Sequence, residues 1–264
     1  MVKDYVLGLE YGALSIVLLI PIVLFIIFKR KGKIRMPAFM TGVLSYLFFN
    51  IILYDIINMA LTSFIKNQIV LIDLIILTLA IVSETGRFFF IRRFLKDRRA
   101  LDGYAVGIGF TAMSSLSVAI GPMYQELVLV RLLKDGKVDE VKSLLGGLNY
   151  TEENITSIIS NIVNIKAYEV LLKGIGECAN IIFLFFLCLL VYEAAVDKKT
   201  KNLYLSIIAY MGYFGLLQLF QSMGSIIFTF VLSIAAAVIS IIYIVKSIKG
   251  LMEKANKRKS LKER

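Results

Sequence analysis

Histidine and tryptophan are both absent from this 264-residue chain. Without histidine there is no imidazole to act as a general base, and a common ligand of catalytic zinc is missing. A site built from carboxylates alone would favour harder cations such as Mg²⁺ or Ca²⁺. Without tryptophan, tyrosine must supply any aromatic belt at a membrane interface. We therefore expect no catalytic zinc, no other metal site and no cofactor.

Cysteine is nearly absent as well, with only Cys178 and Cys188 in the chain. They lie in one apolar stretch, about 15 Å apart along a helix that rises 1.5 Å per residue. This separation excludes a disulfide between them within that helix. It also prevents them from sharing a metal ion, so we expect both to be small buried apolar side chains.

Long apolar runs dominate what is present. Hydrophobic residues make up 58% of the chain, above the 45–50% of a typical soluble domain. A bilayer core about 30 Å thick is crossed by roughly 20 apolar residues of helix. Runs of this kind cover residues 11–28, 37–65, 69–90, 103–123, 168–196, 203–220 and 225–245. The pattern predicts an all-α polytopic membrane bundle of about seven transmembrane helices, forming one integral domain over residues 1–264. A six-span alternative would make one of these segments re-entrant.

Basic clusters follow every second apolar run and carry most of the net charge of +11. They comprise Lys29, Arg30, Lys31, Lys33 and Arg35; Arg92, Arg93, Lys96, Arg98 and Arg99; Lys198, Lys199 and Lys201; and Lys257, Arg258 and Lys259. Lys and Arg next to membrane spans stay on the cytoplasmic side. We therefore predict an outside N-terminus, a cytoplasmic C-terminus with a basic tail over about 246–264, and a location in the cell membrane. Membrane lipids are the expected partners, and no nucleic acid is expected, because no basic and aromatic surface pattern is present.

The longest polar segment covers about 134–166 and is predicted to be an external loop. Thr151 is a good N-cap, and the acidic residues after it suit a first helical turn. The isoleucines that follow at helical spacing predict an amphipathic helix on the membrane or on the bundle. Asn149 and Asn154 each begin an Asn-x-Thr triplet, which is compatible with an external loop.

Ionisable residues within spans are costly and indicate function by default. Glu84 and Arg87 share one face of the third span, either as a structural ion pair or as a functional pair. We expect both to face the bundle interior, near Gly109 and Phe110 of the fourth span. In the fifth span, Lys173, Glu177 and Asn180 form a polar stripe that is either self-satisfied or functional.

Three sequence segments together resemble a known family. They are Ser83-Glu84-Thr85-Gly86-Arg87, Arg92-Arg93-Phe94-Leu95 and Gly103-Tyr104-Ala105-Val106-Gly107-Ile108-Gly109-Phe110. Their order and separation are similar to those of the YhfC family of intramembrane peptidases, relatives of the CPBP group that includes the CAAX prenyl endopeptidases. The resemblance covers about residues 75–115. It implies a glutamate that activates water and histidines that polarise it.

The departures from this family pattern concern the catalytic positions. Glu84 and Arg87 match, but Ser83 stands where the family motif has a first glutamate. Phe110 stands at the expected histidine and Ser114 at a later glutamate. The resemblance therefore indicates a degenerate member that retains the scaffold and part of a polar site.

Three functions remain open. The first is a non-catalytic protein that binds a peptide, a lipid or a transmembrane partner, or that serves as a subunit of a membrane complex. The second is an active intramembrane hydrolase that uses Glu84 with Glu177 or other carboxylates. The third is a transporter or channel component whose path is lined by Glu84, Arg87, Lys173 and Glu177. The candidate binding residues are Glu84, Arg87, Gly109, Phe110, Ser114, Lys173, Glu177 and Asn180.

Overall fold

The computed structural model of the chain describes residues 3–30, 34–95, 99, 101–148, 150–197 and 199–262. Over these residues the chain is helical and contains no strand. The α-helices are α1 (Asp4–Arg30), α2 (Met36–Tyr46), α3 (Leu53–Phe64), α4 (Gln68–Phe94), α5 (Asp102–Val118), α6 (Tyr124–Lys134), α7 (Val138–Gly147), α8 (Glu152–Asn164), α9 (Ala167–Asp197), α10 (Thr200–Ser222) and α11 (Ile226–Lys262). π-helical turns at Leu47–Ile52 and Ala119–Met123 join α2 to α3 and α5 to α6.

The predicted number of membrane spans is confirmed, because seven helical segments in the described residues are long and apolar enough to cross a bilayer. They are Asp4–Lys29, Met36–Phe64, Ile69–Phe94, Asp102–Lys134, Ala167–Asp197, Thr200–Ser222 and Ile226–Ser247. The fourth membrane span, Asp102–Lys134, runs well past its predicted end at residue 123. Gly121 and Pro122 kink it without ending it, because the buried residues Leu127, Val130 and Leu133 extend its apolar face into α6.

Local sequence signals account for several helix ends. The side chain of Asn67 caps α4 by accepting hydrogen bonds from the backbone N–H groups of Ile69 and Val70, at 3.0 and 3.3 Å. The Thr151 hydroxyl accepts from the Asn154 N–H at 3.3 Å and begins α8, as predicted. Gly136 ends the turn after α6 with φ of 75°, a conformation that favours glycine.

The chain divides into two compact units, Met1–Ile20 with Ser115–Cys178, and Pro21–Ser114 with Ala179–Arg264. In the first unit, α7 and α8 occupy the polar segment for which the sequence predicted one amphipathic helix. The apolar faces of both helices contribute to the core of this unit. That core contains Val6, Val130, Leu133, Val141, Leu145, Ile155, Ile162 and Val170. Asn149 lies outside the described residues.

In the second unit, α2 and α5 approach each other closely through two glycines. A Cβ on Gly42 would collide with the backbone carbonyl oxygen of Val106, and one on Gly109 would collide with that of Phe39. Close packing through small residues is a common way for helices to associate in lipid. This contact brings the segment of α5 that contains Phe110 against α2.

Candidate functional site

The candidate site of the second unit is centred on an ion pair within α4. Glu84 and Arg87 are both fully buried, with 0% of each side chain exposed. The Arg87 guanidinium donates from Nη2 to Glu84 Oε1 at 3.0 Å and from Nη1 to Oε2 at 3.3 Å. Both carboxylate oxygens are therefore paired with one cation, in the two-pronged geometry that suits arginine.

Neutral polar groups complete this site. The Ser83 hydroxyl accepts from Arg87 Nη2 at 3.3 Å and from the Asn50 amide at 3.1 Å. Asn50 lies in the π-helical turn Leu47–Ile52, and such turns often occur at functional positions. The Ser206 hydroxyl of α10 lies within hydrogen-bonding reach of the Glu84 carboxylate. Side chains from three separate spans thus surround the ion pair.

Phe110 covers the arginine from α5. The guanidinium carbon of Arg87 lies 3.7 Å from the centroid of the Phe110 ring, which is close for a cation–π contact. The Tyr46 ring packs edge-on against Phe110, with centroids 5.0 Å apart. An aromatic ring therefore fills the position at which the family motif has histidine, and it faces a permanent positive charge.

This arrangement restricts the chemistry available to Glu84. A general base must reach the proton of a water molecule with a free oxygen. Here the carboxylate is excluded from solvent, and both of its oxygens face a guanidinium that cannot lose its proton. The positive charge is already neutralised, so it is poorly placed to stabilise a developing oxyanion. The geometry supports a structural ion pair.

The remaining candidate residues of the second unit have structural surroundings. Gly109 packs against the backbone of α2, and Ser114 is buried in α5. Asn180 of α9 accepts a hydrogen bond from the Tyr213 hydroxyl of α10. Ser206 was not among the predicted site residues, because a single serine in an apolar span carries no distinguishing signal.

Lys173 and Glu177 belong to the first unit, so they are described apart from Glu84. Their i,i+4 spacing suggested a pair, but the Lys173 ammonium forms its ion pair with Glu126 of α6. Glu10 of α1, which was not among the candidates, is also buried here and is 2% exposed. Glu10 and Glu177 are the other charges that act on Lys173. The expected stripe on one helix is therefore a cluster contributed by three helices.

The helices and the buried charges define a multi-pass helical membrane protein. The family model described as YhfC intramembrane metalloprotease matches residues 16–239, so the chain belongs to this family. The family predicted from the motifs is thereby confirmed. No curated protein and no solved structure matches the chain.

The family description implies a metal ion, and the residues of this chain do not fit one. Both oxygens of Glu84 are bound to Arg87, and Phe110 offers no ligand atom. Within the described ranges, no three His, Cys, Asp or Glu side chains are grouped so that they could hold a metal ion. Chelation by a carboxylate would also require displacement of the guanidinium from its buried position.

Proposed function

We propose that this chain is a non-catalytic member of the YhfC family that acts by binding a membrane component. The proposal rests on the position of the Arg87 guanidinium between the Glu84 carboxylate and the Phe110 ring. In this position the arginine forms an ion pair with the carboxylate that the family motif would use to activate water. The motif is retained as a means of holding α4 against α5 and α10.

The cost of separating Glu84 from Arg87 favours a structural role for this ion pair. An unpaired charge within a bilayer is expensive, and breaking a buried ion pair by removing one partner typically costs about 3–5 kcal/mol. Freeing Glu84 for catalysis would require a comparable rearrangement before any chemistry began. General-base catalysis contributes about 10²–10⁴-fold in rate, and a cost of that size would cancel most of it.

The bound component is a peptide, a lipid or a transmembrane partner, or the chain serves as a subunit of a membrane complex. The fold supports this role because Glu84 and Arg87 neutralise each other inside the second unit, which keeps the scaffold intact and leaves neither group free to react. The charge pattern further supports a location in the cell membrane with the N-terminus outside and the C-terminus in the cytoplasm.

Turnover of membrane-embedded peptides by the purified chain in liposomes tests this proposal. We expect cleavage at background level for wild type and for Glu84→Gln, with no stoichiometric metal in either protein. Glu153→Gln, which changes an exposed acid on α8, is the matched control for loss of one carboxylate. Cleavage by wild type and by Glu153→Gln that disappears in Glu84→Gln would overturn the proposal. Solute or ion flux into the same liposomes would favour the transport alternative instead.

A further inference from the structure

The charged cluster of the first unit contains a buried acceptor that the fold leaves unpaired. Glu10 is 2% exposed, and its Oε1 atom has no hydrogen-bond partner among the described residues. A buried carboxylate oxygen without a donor costs free energy, and the cost rises if the group is charged. Such a group in an otherwise well-packed unit indicates that a ligand supplies the missing donor.

The charges around Glu10 indicate which kind of donor fits. Three carboxylates, those of Glu10, Glu126 and Glu177, surround the single ammonium of Lys173. The cluster therefore has an excess of negative charge and favours a cationic group. Metal coordination is not supported, since no set of three carboxylates in the described part of the chain is placed to ligate an ion. A ligand that donates hydrogen bonds, such as a primary ammonium group, matches the cluster better.

The cluster lies near the ends of the first and fifth spans that are predicted to be external, where lipid headgroups are expected. Glu10 and Lys173 each lie six residues from the start of their helices, about 9 Å along the axis. Tyr11, Tyr124 and Tyr168 are close to the cluster in sequence, and each is about half exposed, at 46%, 55% and 46%. Exposed tyrosines of this kind form the aromatic belt at a membrane–water interface.

The cluster reaches the surface of the unit at Lys173. The Lys173 side chain is itself 36% exposed, so the cluster can be reached from this side. An ammonium has three N–H donors, so the ion pair of Lys173 with Glu126 leaves donors for a phosphate oxygen.

We propose that Glu10, Glu126 and Lys173 bind the headgroup of an ethanolamine phospholipid. The lipid ammonium donates to the Glu10 carboxylate, and the lipid phosphate accepts from Lys173. This inference names one ligand for the binding role proposed above. The peptide-cleavage assay tests that role independently, so either proposal can fail without the other.

Lipid binding by the wild-type chain, measured by native mass spectrometry from detergent, tests the inference without any mutation. Phosphatidylethanolamine is compared with its mono-, di- and trimethylated analogues that carry the same acyl chains. Successive methyl groups remove N–H donors while keeping the positive charge. We expect phosphatidylethanolamine to bind roughly tenfold more tightly than phosphatidylcholine, a difference of about 1.4 kcal/mol, because only the ethanolamine ammonium can donate a hydrogen bond to the Glu10 carboxylate. Equal affinity across the series would overturn the inference.

A variant assigns the preference to the cluster. Glu10→Gln is expected to reduce the preference to about twofold or less, because a neutral amide loses the charged acceptor. Glu153→Gln, on an exposed face of the same unit, should keep it. A preference that persists in Glu10→Gln would contradict the assignment, as would displacement of the lipid by a soluble lysine-rich peptide. If Glu10→Gln does not fold, the methylation series on wild type decides the matter.

Discussion

The strongest structural prediction concerns the buried pair of Glu84 and Arg87. Replacing Arg87 by Met leaves a buried carboxylate next to uncharged hydroxyl groups. Replacing Glu84 by Gln leaves a buried guanidinium whose positive charge is no longer neutralised, although the introduced amide oxygen can still accept one hydrogen bond. Each single change should lower the free energy of unfolding by about 3–5 kcal/mol. Arg87→Met should be the worse of the two, because it also removes a cation–π contact worth about 2 kcal/mol when desolvated.

The double variant Glu84→Gln/Arg87→Met separates the pair interaction from other losses. It removes both charges at once, so its loss should be smaller than the sum of the single losses by about 1–3 kcal/mol. Unfolding can be followed in mixed micelles by titration with dodecyl sulfate. Cys188 is fully buried beside this site and serves as a reporter for a thiol-reactive fluorophore in a Cys178→Ala background. Additive losses, or single losses below about 1 kcal/mol, would show that the two charges do not stabilise each other.

Three further outcomes follow from the structure. Phe110→His should confer neither metal binding nor peptide cleavage, measured by elemental analysis and turnover, because the arginine still occupies the carboxylate. Gly42→Ala should destabilise the chain by about 1–3 kcal/mol, because the added Cβ collides with α5. Gly212 has open space around it, so Gly212→Ala should be neutral or stabilising by about 0.5–1 kcal/mol. The micelle titration compares the two variants. In a cysteine-free background, Tyr150→Cys should react with an impermeant maleimide in intact cells and Lys201→Cys only after permeabilisation, and the reverse pattern would invert the topology.

The spans could be predicted from the sequence because bilayer thickness sets helix length directly. The apolar run over 69–90 must satisfy its own backbone hydrogen bonds in lipid, and it does so as the helix α4. The predicted end of the fourth span, at residue 123, was wrong for a local reason. Gly121 and Pro122 indicate a helix end, yet burial of Leu127 and Val130 keeps the chain helical through a π-helical turn. The apolar face beyond the kink outweighed the local signal.

The Glu84 and Arg87 pair could be anticipated because an i,i+3 spacing fixes both groups on one face. Its surroundings could not, since they depend on which spans become neighbours. Ser206 approaches from α10, more than a hundred residues later in the chain. The same limitation affected Lys173, whose partner Glu126 comes from α6. Spacing along a helix predicts the local candidates, and tertiary packing decides between them.

The Glu84 and Arg87 site is closed to water, and thiol reactivity at position 83 tests this directly. Ser83 is fully buried and bonded to Arg87, whereas Ser222 is exposed at the end of α10. In a cysteine-free background, Ser83→Cys and Ser222→Cys are treated with a charged, water-soluble thiosulfonate. We expect Ser83→Cys to react at least roughly a hundredfold more slowly, because reaction requires local opening of the core. Comparable rates at the two positions would show that water reaches the ion pair, and the site would then not be closed.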